Sequence, residues 1–423
     1  MVASILDIIP LEKLFQMSIY LPYKDIVHWS QTCKTVKELI YDNEYFWKHA
    51  VLNQYNQKNK YNTWKKTFEQ LTFAKIYISG MSCYSPNFNN YDGSFVEFKY
   101  GPKNIQMMKV SNDTMLIVSD NKIYKFENDN DDGWYNNHNP HYSDMDPIRI
   151  DCKEEINITD IDLWGLFDNN YEEVIIAIIN GDLYTCGNNN KGQLGYEDSV
   201  DQLLKKVPNF HNITKASCSC WHTAFIMDKL LYTFGNNTDG ELGLGHYNNV
   251  SIPTLVPNLK NVTHVVCNFT NTYVIADGYL YFMGSLIDNR IISKTINVPL
   301  MIPNLNNVTN ISVGDNDGYV SVIADGKMHI INRNGSRQNQ HLLDAIERFG
   351  HEHKIIDVNQ SSLVSCSSWH MGFVDNNIIT MYGTNTHKQM GISDDKEIVQ
   401  VSPFREIFQL SCSCCYTAVL AIK

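Results

Sequence analysis

The chain has 423 residues, 43% of them apolar, enough for two or three ordinary domains or one large repeat domain. A formal net charge of −12 argues against a broad phosphate-binding surface, so a nucleic-acid partner is not expected. No uninterrupted run of about 18 apolar residues marks a transmembrane helix. The first residues, MVASILDIIP, lack the basic and long apolar regions of a secretory signal. Eleven cysteines, an odd number partly clustered at Cys412, Cys414 and Cys415, do not suit a small paired disulfide framework. The expected setting is intracellular, cytoplasmic or nuclear, with no membrane partner. The 47 asparagines, with abundant Ile, Tyr and Lys, are the mix that AT-rich codons produce, as in a protist or a large DNA virus acting in its host cell.

In chain order, residues 10–50 carry apolar positions at helical spacing. Leu11, Leu14, Phe15 and Ile19 form a stripe ended by Leu21-Pro22. Asp25 can cap a second helix in which Ile26, Trp29, Cys33, Val36 and Ile40 recur every three or four residues, broken at Tyr41-Asp42-Asn43. A short third segment, EYFWKHA, presents Phe46 and Trp47. Three helices in about forty residues bury little apolar area alone, so residues 1–52 are expected to dock on a partner. The alternative is a helical mini-core that touches none. Residues 53–74, with Trp64, Phe68 and Leu71 at near-helical spacing, are expected to form a linker helix.

From residue 75 to 423 the chain repeats itself. LLYTFGNNTDGELGLG (230–245) is echoed by DLYTCGNNNKGQLGY (182–196), and weaker copies are KIYISG, KIYKFE, YLYFMG, KMHIIN and IITMYG. These end at Gly80, Glu127, Gly187, Gly235, Gly284, Asn332 and Gly383, so seven registers of one unit are visible at spacings of 47 to 60 residues. Upstream of several anchors, β-type runs flank Asp277-Gly278 and Asp325-Gly326, a hairpin signal. Gly195, Gly243 and Gly391 fall eight residues after an anchor, where a tight turn is expected. Aligning CYTAVLAIK with the unit around Trp221 puts Lys423 six residues before an anchor, and Lys75 lies five before Gly80. Joining 423 to 75 therefore completes a unit of 46 residues. That is the expectation for a closed ring without exposed sheet edges.

The motifs CSCWHTAF and CSSWHMGF, with the Gly-rich LYTFGNNTDGELGLG and LYTCGNNNKGQLG stretches, make residues 75–423 resemble the regulator of chromosome condensation repeat family. The resemblance implies a mainly β fold, a seven-bladed β-propeller closed between the C-terminal strands and the first repeat strand. The series Pro10, Leu14, Phe15, Leu21, Ile26, Cys33, Phe46 and Trp47 resembles an F-box, the small all-α module that docks on the Skp adaptor of cullin–RING ubiquitin ligases. That resemblance implies a substrate-recognition subunit whose propeller holds a target protein. The alternatives are a guanine-nucleotide exchange factor or chromatin-associated propeller, or a non-catalytic scaffold.

Cys218, Cys267, Cys366 and Cys412 share one strand position, seventeen residues before an anchor or its place in register. Equivalent positions in different blades are too far apart to share a zinc ion, so these thiols are expected to be small, buried and inert. His222 and His370 follow tryptophans at matching positions, which suits a structural role better than catalysis. His351 and His353 lack companion ligands. No phosphate loop, nucleophile elbow or zinc-protease motif is present, so neither a cofactor, a metal nor an enzymatic activity is expected. Two insertions break the period. Residues 127–146 are acidic and Asn-rich, and carry Trp134, Tyr135 and Tyr142; they read as a plain loop or as a target-binding one. Residues 332–354 carry Leu342, Leu343, Ile346 and Phe349 at helical spacing, the pattern of one helix laid against the propeller.

Overall fold

The computed structural model describes residues 23–32, 37–55, 63–80, 94–98, 102–111, 114–127, 147–152, 155–164, 173–197, 203–288, 291–314, 319–332, 353–358, 363–385, 389–390, 398–413 and 416–423. Contacts divide the chain into two units, Met1–Ala74 with Lys103–Gln106, and Lys75–Pro102 with Met107–Lys423.

The second unit holds seven sheets, one for each register of the repeat. Blade I comprises Ile105–Ser111, Thr114–Ser119 and Lys122–Glu127. Blade II comprises Ile158–Trp164, Val174–Ile179, Asp182–Gly187 and Leu203–Lys206. Blade III runs through Ile213–Cys218, His222–Met227, Leu230–Gly235 and Val250–Leu255, and blade IV through Val262–Cys267, Asn271–Ala276, Tyr279–Asp288 and Ile291–Met301. Blade V is Val308–Val313, Tyr319–Ala324, Lys327–Asn332 and His353–Asp357; blade VI is Leu363–Cys366, His370–Asp375, Ile378–Gly383 and Ile398–Val401. Blade VII draws on both ends of the repeat region. Its strands are Glu406–Cys412, Tyr416–Ile422, Lys75–Gly80 and Val96–Glu97.

That last blade closes the ring. Lys75–Gly80 pairs antiparallel with Tyr416–Ile422, in a register running from Lys75 opposite Ala421 to Gly80 opposite Tyr416. The strand Arg149–Ile150, which follows blade I, pairs parallel with Leu203–Lys206 of blade II, while the neighbouring Ile148 N–H donates to Ile123 O of blade I.

Local chemistry explains why each unit folds alike. The second strand of a blade lies between two others and between two neighbouring blades, so Thr114–Ser119, Val174–Ile179 and Asn271–Ala276 are buried at every residue. The core consists of the contacts between successive blades. Leu116 and Val118 of blade I, for instance, share a cluster with Ile161, Leu163 and Ile175 of blade II. The second and third strands are joined by two-residue turns with φ > 0 at both positions: Asp277-Gly278 (51°, 78°), Asp325-Gly326 (50°, 72°) and Asn180-Gly181 (56°, 82°). Such turns match the twist of the strands they join.

The anchor glycines have a separate cause. Gly187, Gly235, Gly284 and Gly383 sit at φ of 114–120°, and a Cβ at each would lie 2.1–2.5 Å from a backbone carbonyl oxygen. Only glycine fits there. Asparagine is also used structurally. Among the described residues eleven asparagines have φ > 0, including Asn209, Asn212, Asn258, Asn261, Asn304 and Asn307 in the links that lead into blades III, IV and V. Asn tolerates this left-handed region better than other non-glycine residues. Part of the asparagine content is thus a requirement of the fold and not of codon usage.

In the first unit, helix α1 spans Tyr23–Thr32, a π-helical turn spans Lys37–Tyr41, α2 spans Glu44–Tyr55 and α3 spans Trp64–Phe73. Thr63 caps α3, its Oγ1 accepting from Lys66 N–H at 3.1 Å. The second expected helix is described over Tyr23–Thr32, and Ile40 enters the core from the π-helical turn. This core joins Ile26, Ile40, Phe46, Trp47, Ala50, Val51, Phe68 and Leu71. Trp47 is enclosed by Phe46 and Phe68, with ring centroids 5.0 and 5.2 Å away, and its Nε1–H donates to Tyr41 O at 2.9 Å. Among the described residues, no helix is long and apolar enough to cross a membrane.

Candidate functional site

The first strands of the seven blades line a central channel of about 450 Å3. Successive side chains alternate between channel and core. Lys109, Asp162, Ser217, Val266, Ser312, Ser365 and Ser411 occupy one level of it, each directly preceding the strand position that holds a buried cysteine in four blades. At that level the blades are laced together. Cys218 N–H donates to Asp162 Oδ2 (3.2 Å), Cys267 N–H to Ser217 Oγ (3.0 Å) and Cys366 N–H to Ser312 Oγ (3.0 Å). Cys412 N–H donates to Ser365 Oγ (2.9 Å), and Val110 N–H to Ser411 Oγ (3.2 Å). Lys109 Nζ closes the step from blade I to blade II on Asp162 Oδ1 at 3.0 Å, and the charge of Asp162 raises the Lys109 pKa. Between blades IV and V the position is Val266, whose side chain has no polar atom to give.

The next level toward the other end of the channel carries Asp160, Lys215, His264, Asn310 and Gln409. Burial pushes the Asp160 carboxyl up to about 6, and burial followed by the Lys215 charge lowers the His264 pKa. The cysteines behind the channel wall are chemically quiet. Burial raises the thiols of Cys218 and Cys267 far above their usual range and those of Cys366 and Cys412 to about 12. A thiol that stays protonated is neither a nucleophile nor a metal ligand. Among the described residues no group of three His, Cys, Asp or Glu side chains could hold a metal ion.

At one mouth of the channel two turns repeat the same construction. Ser219 Oγ accepts from the N–H groups of Trp221 (3.2 Å) and His222 (3.1 Å) and lies 2.9 Å from His222 Nδ1. His222 Nε2 meets Thr272 Oγ1 of blade IV at 2.8 Å, and that hydroxyl donates to Glu241 O at 2.7 Å. With the Thr272 proton spent on Glu241, Nε2 must carry the imidazole hydrogen and Nδ1 accepts from Ser219. In blade VI, Ser367 repeats the bonds to Trp369 and His370, and His370 Nε2 meets Thr417 Oγ1 of blade VII at 2.7 Å. Both histidines are fully buried, and desolvation lowers each to about 3. The Ser–His pairs hold neighbouring blades together and face no solvent, so they are clasps and not nucleophile–base pairs.

The turns differ in what covers the tryptophan. Trp221 is partly buried, with Phe269 edge-on at 6.1 Å and the Lys191 ammonium 5.8 Å from its ring centre. Trp369 is 52% exposed. Beside the first turn, Gln193 and Glu241 hold equivalent places in the Gly-Gln-Leu-Gly and Gly-Glu-Leu-Gly loops. Gln193 Oε1 accepts from Lys191 N–H, and its Nε2 donates to Cys220 O. Glu241 accepts from Asp239 N–H and Asn236 Nδ2, and burial raises its carboxyl to about 7.

Of the residues expected to bind an adaptor, Pro10, Leu14, Phe15, Leu21 and Cys33 lie outside the described residues. Ile26, Phe46 and Trp47 are 2%, 0% and 0% exposed within their own helical core, so they are not presented to a partner. Trp134, Tyr135 and Tyr142, the helix expected at 342–349, Gly391 and His351 also lie outside the described residues. The Ser and Asp side chains lacing the channel were not anticipated. Their signal was present in the residue just before each repeated cysteine.

Residues 180–226 and 228–273 match the regulator of chromosome condensation (RCC1) repeat. The chain is a seven-bladed propeller carrying RCC1 repeats. It is 32% identical over 87 residues to the human X-linked retinitis pigmentosa GTPase regulator, covering 19% of this chain and 8% of that one. It is 31% identical over 80 residues to the human RCC1-like G exchanging factor-like protein, covering 17% of each. The matched stretches thus span under a fifth of these relatives. Two solved structures share the fold. Yeast RCC1 (Prp20) bound to Kap60 has a TM-score of 0.63 at 14% identity, covering 84% of this chain and 90% of that one. Prp20p from Saccharomyces cerevisiae, described with its binding properties to Gsp1p and histones, has a TM-score of 0.61 at 14% identity, covering 85% and 94%. These comparisons overturn the expected Skp adaptor and cullin–RING partners: the proteins named are GTPase regulators, exchange factors, histones and Kap60.

Proposed function

We propose that the chain is a binding propeller that regulates a small GTPase, in the manner of a guanine-nucleotide exchange factor. The observation that carries this reading is the RCC1-repeat match at residues 180–226 and 228–273, together with the similarity to a GTPase regulator and to an exchange-factor-like protein. Exchange needs no bond to be made or broken by the propeller. A factor that binds the nucleotide-free GTPase more tightly than the loaded one must, by reciprocity, weaken nucleotide binding by the same factor. A rigid ring supports that role, because its binding loops are held before the partner arrives.

A second reading, attachment to chromatin through basic protein, draws on the net charge of −12. That charge disfavours DNA itself but complements histone-like partners. Trp134, Tyr135 and Tyr142, on the longest insertion, are proposed as additional target contacts. The test is release of a fluorescent guanine nucleotide from a panel of small GTPases with the full chain present. Acceleration of about tenfold or more for one member is expected. No acceleration, together with no complex with any nucleotide-free GTPase, would overturn the reading.

A further inference from the structure

We infer that Trp369 anchors a basic peptide segment of a partner, with a Lys or Arg side chain of that segment over its ring. The molecule supplies its own template for this site. In blade III, the same Ser-x-Trp-His turn presents Trp221, and the chain itself provides both covers: the Lys191 ammonium from blade II and the Phe269 edge from blade IV. Among the described residues no ammonium group or aromatic ring covers Trp369, which stands 52% exposed on a backbone as firmly held as that of its twin.

That backbone is fixed at three points. Ser367 Oγ accepts from Trp369 N–H at 3.4 Å, Thr384 N–H donates to Trp369 O at 2.9 Å, and the following His370 is clasped to Thr417. A Cβ on Gly383 would lie 2.5 Å from Trp369 O, so the chain packs closely against this residue. A large aromatic held in this way loses little freedom when covered, the property of a binding hot spot. The occupant's chemistry follows from the twin and from the charge. Trp221 takes a cation over its ring, and a chain of net charge −12 draws basic segments toward it. This inference does not require the partner to be a GTPase.

The probe is a fluorescent ten-residue peptide of alternating Arg and Gly, titrated into the full chain at about 0.15 M salt, with an alternating Glu-Gly peptide as control. Trp369→Ala is expected to weaken binding of the Arg peptide about tenfold, and Trp369→Phe, which keeps a ring face, to fall between. The Glu peptide should not bind. Equal affinity of wild type and Trp369→Ala for the Arg peptide would show charge attraction alone and overturn the inference, as would binding of both peptides alike. Thermal melts establish that each variant folds. Should Trp369→Ala fail to fold, the comparison of wild type with Trp369→Phe and Trp369→Leu decides, an equal affinity of these three again overturning the site.

Discussion

Blades III and VI are built on the same turn and end differently. In both, a serine hydroxyl gathers two backbone N–H groups and a buried neutral histidine reaches the next blade's threonine. In blade III the tryptophan between them is covered by the chain, whereas in blade VI it is left half in solvent. The clasp is therefore a property of the repeat, while the covering of the tryptophan is a choice made blade by blade. A repeat protein can keep its ring intact and still differentiate its faces.

The largest effects should come from breaking the clasp in each blade. His222→Ala and His370→Ala should each lower the unfolding free energy by about 3 kcal/mol, through a cavity and two stranded hydroxyl partners. Nearly equal losses in denaturant titrations would confirm one shared device, and a loss confined to one blade would break the comparison. Acid should reproduce the effect. Each histidine titrates near 6.5 unfolded and about 3 folded, so its stabilisation is present above pH 6.5 and lost as pH falls toward 3. At pH 5 the loss is about 2 kcal/mol per histidine.

An effect of similar size tests the loops beside the turns. Glu241 stands where blade II has Gln193, and its folded pKa of about 7 lies above the ordinary 4.5. Ionisation therefore costs stability as pH rises from 4.5 through 7. Glu241→Gln should stabilise by about 3 kcal/mol at pH 8, with the gain vanishing below pH 4.5. Stability measured at pH 4 and pH 8 separates this from a uniform gain, which would contradict it. Smallest of all, Ser365→Ala should cost about 1 kcal/mol by cutting one bond between blades, and Ser217→Ala more than that, because its hydroxyl also donates to Asp162 Oδ2 of blade II at 2.9 Å.

The repeat register was legible because its markers are local. Gly187, Gly235, Gly284 and Gly383 each meet a carbonyl that leaves no room for a Cβ, and Asp277-Gly278 and Asp325-Gly326 mark turns with positive φ. The inert character of Cys218, Cys267, Cys366 and Cys412 followed from their shared position, and all four are buried. What stayed hidden depended on contacts across blades. Nothing in the local pattern shows that Ser217 reaches Cys267 N–H fifty residues on. Phe46 and Trp47 went the other way. Their helical spacing is real, but amphipathic spacing alone does not tell an outward docking face from the inward face of a small core. The asparagines carried a conformational signal in Asn209, Asn258 and Asn304 that composition alone could not separate from codon bias.

The pairing of Lys75–Gly80 with Tyr416–Ile422 also sets a schedule for synthesis. The first of these strands leaves the ribosome roughly 340 residues before its partner exists, tens of seconds at ordinary elongation rates of about 5–20 residues per second. Through that interval blade VII is half made, with a backbone edge open to any other chain nearby. The nascent ring is thus exposed to misassembly until Tyr416–Ile422 has been made, and a chaperone that shields one short strand would serve it better than one that encloses the whole ring.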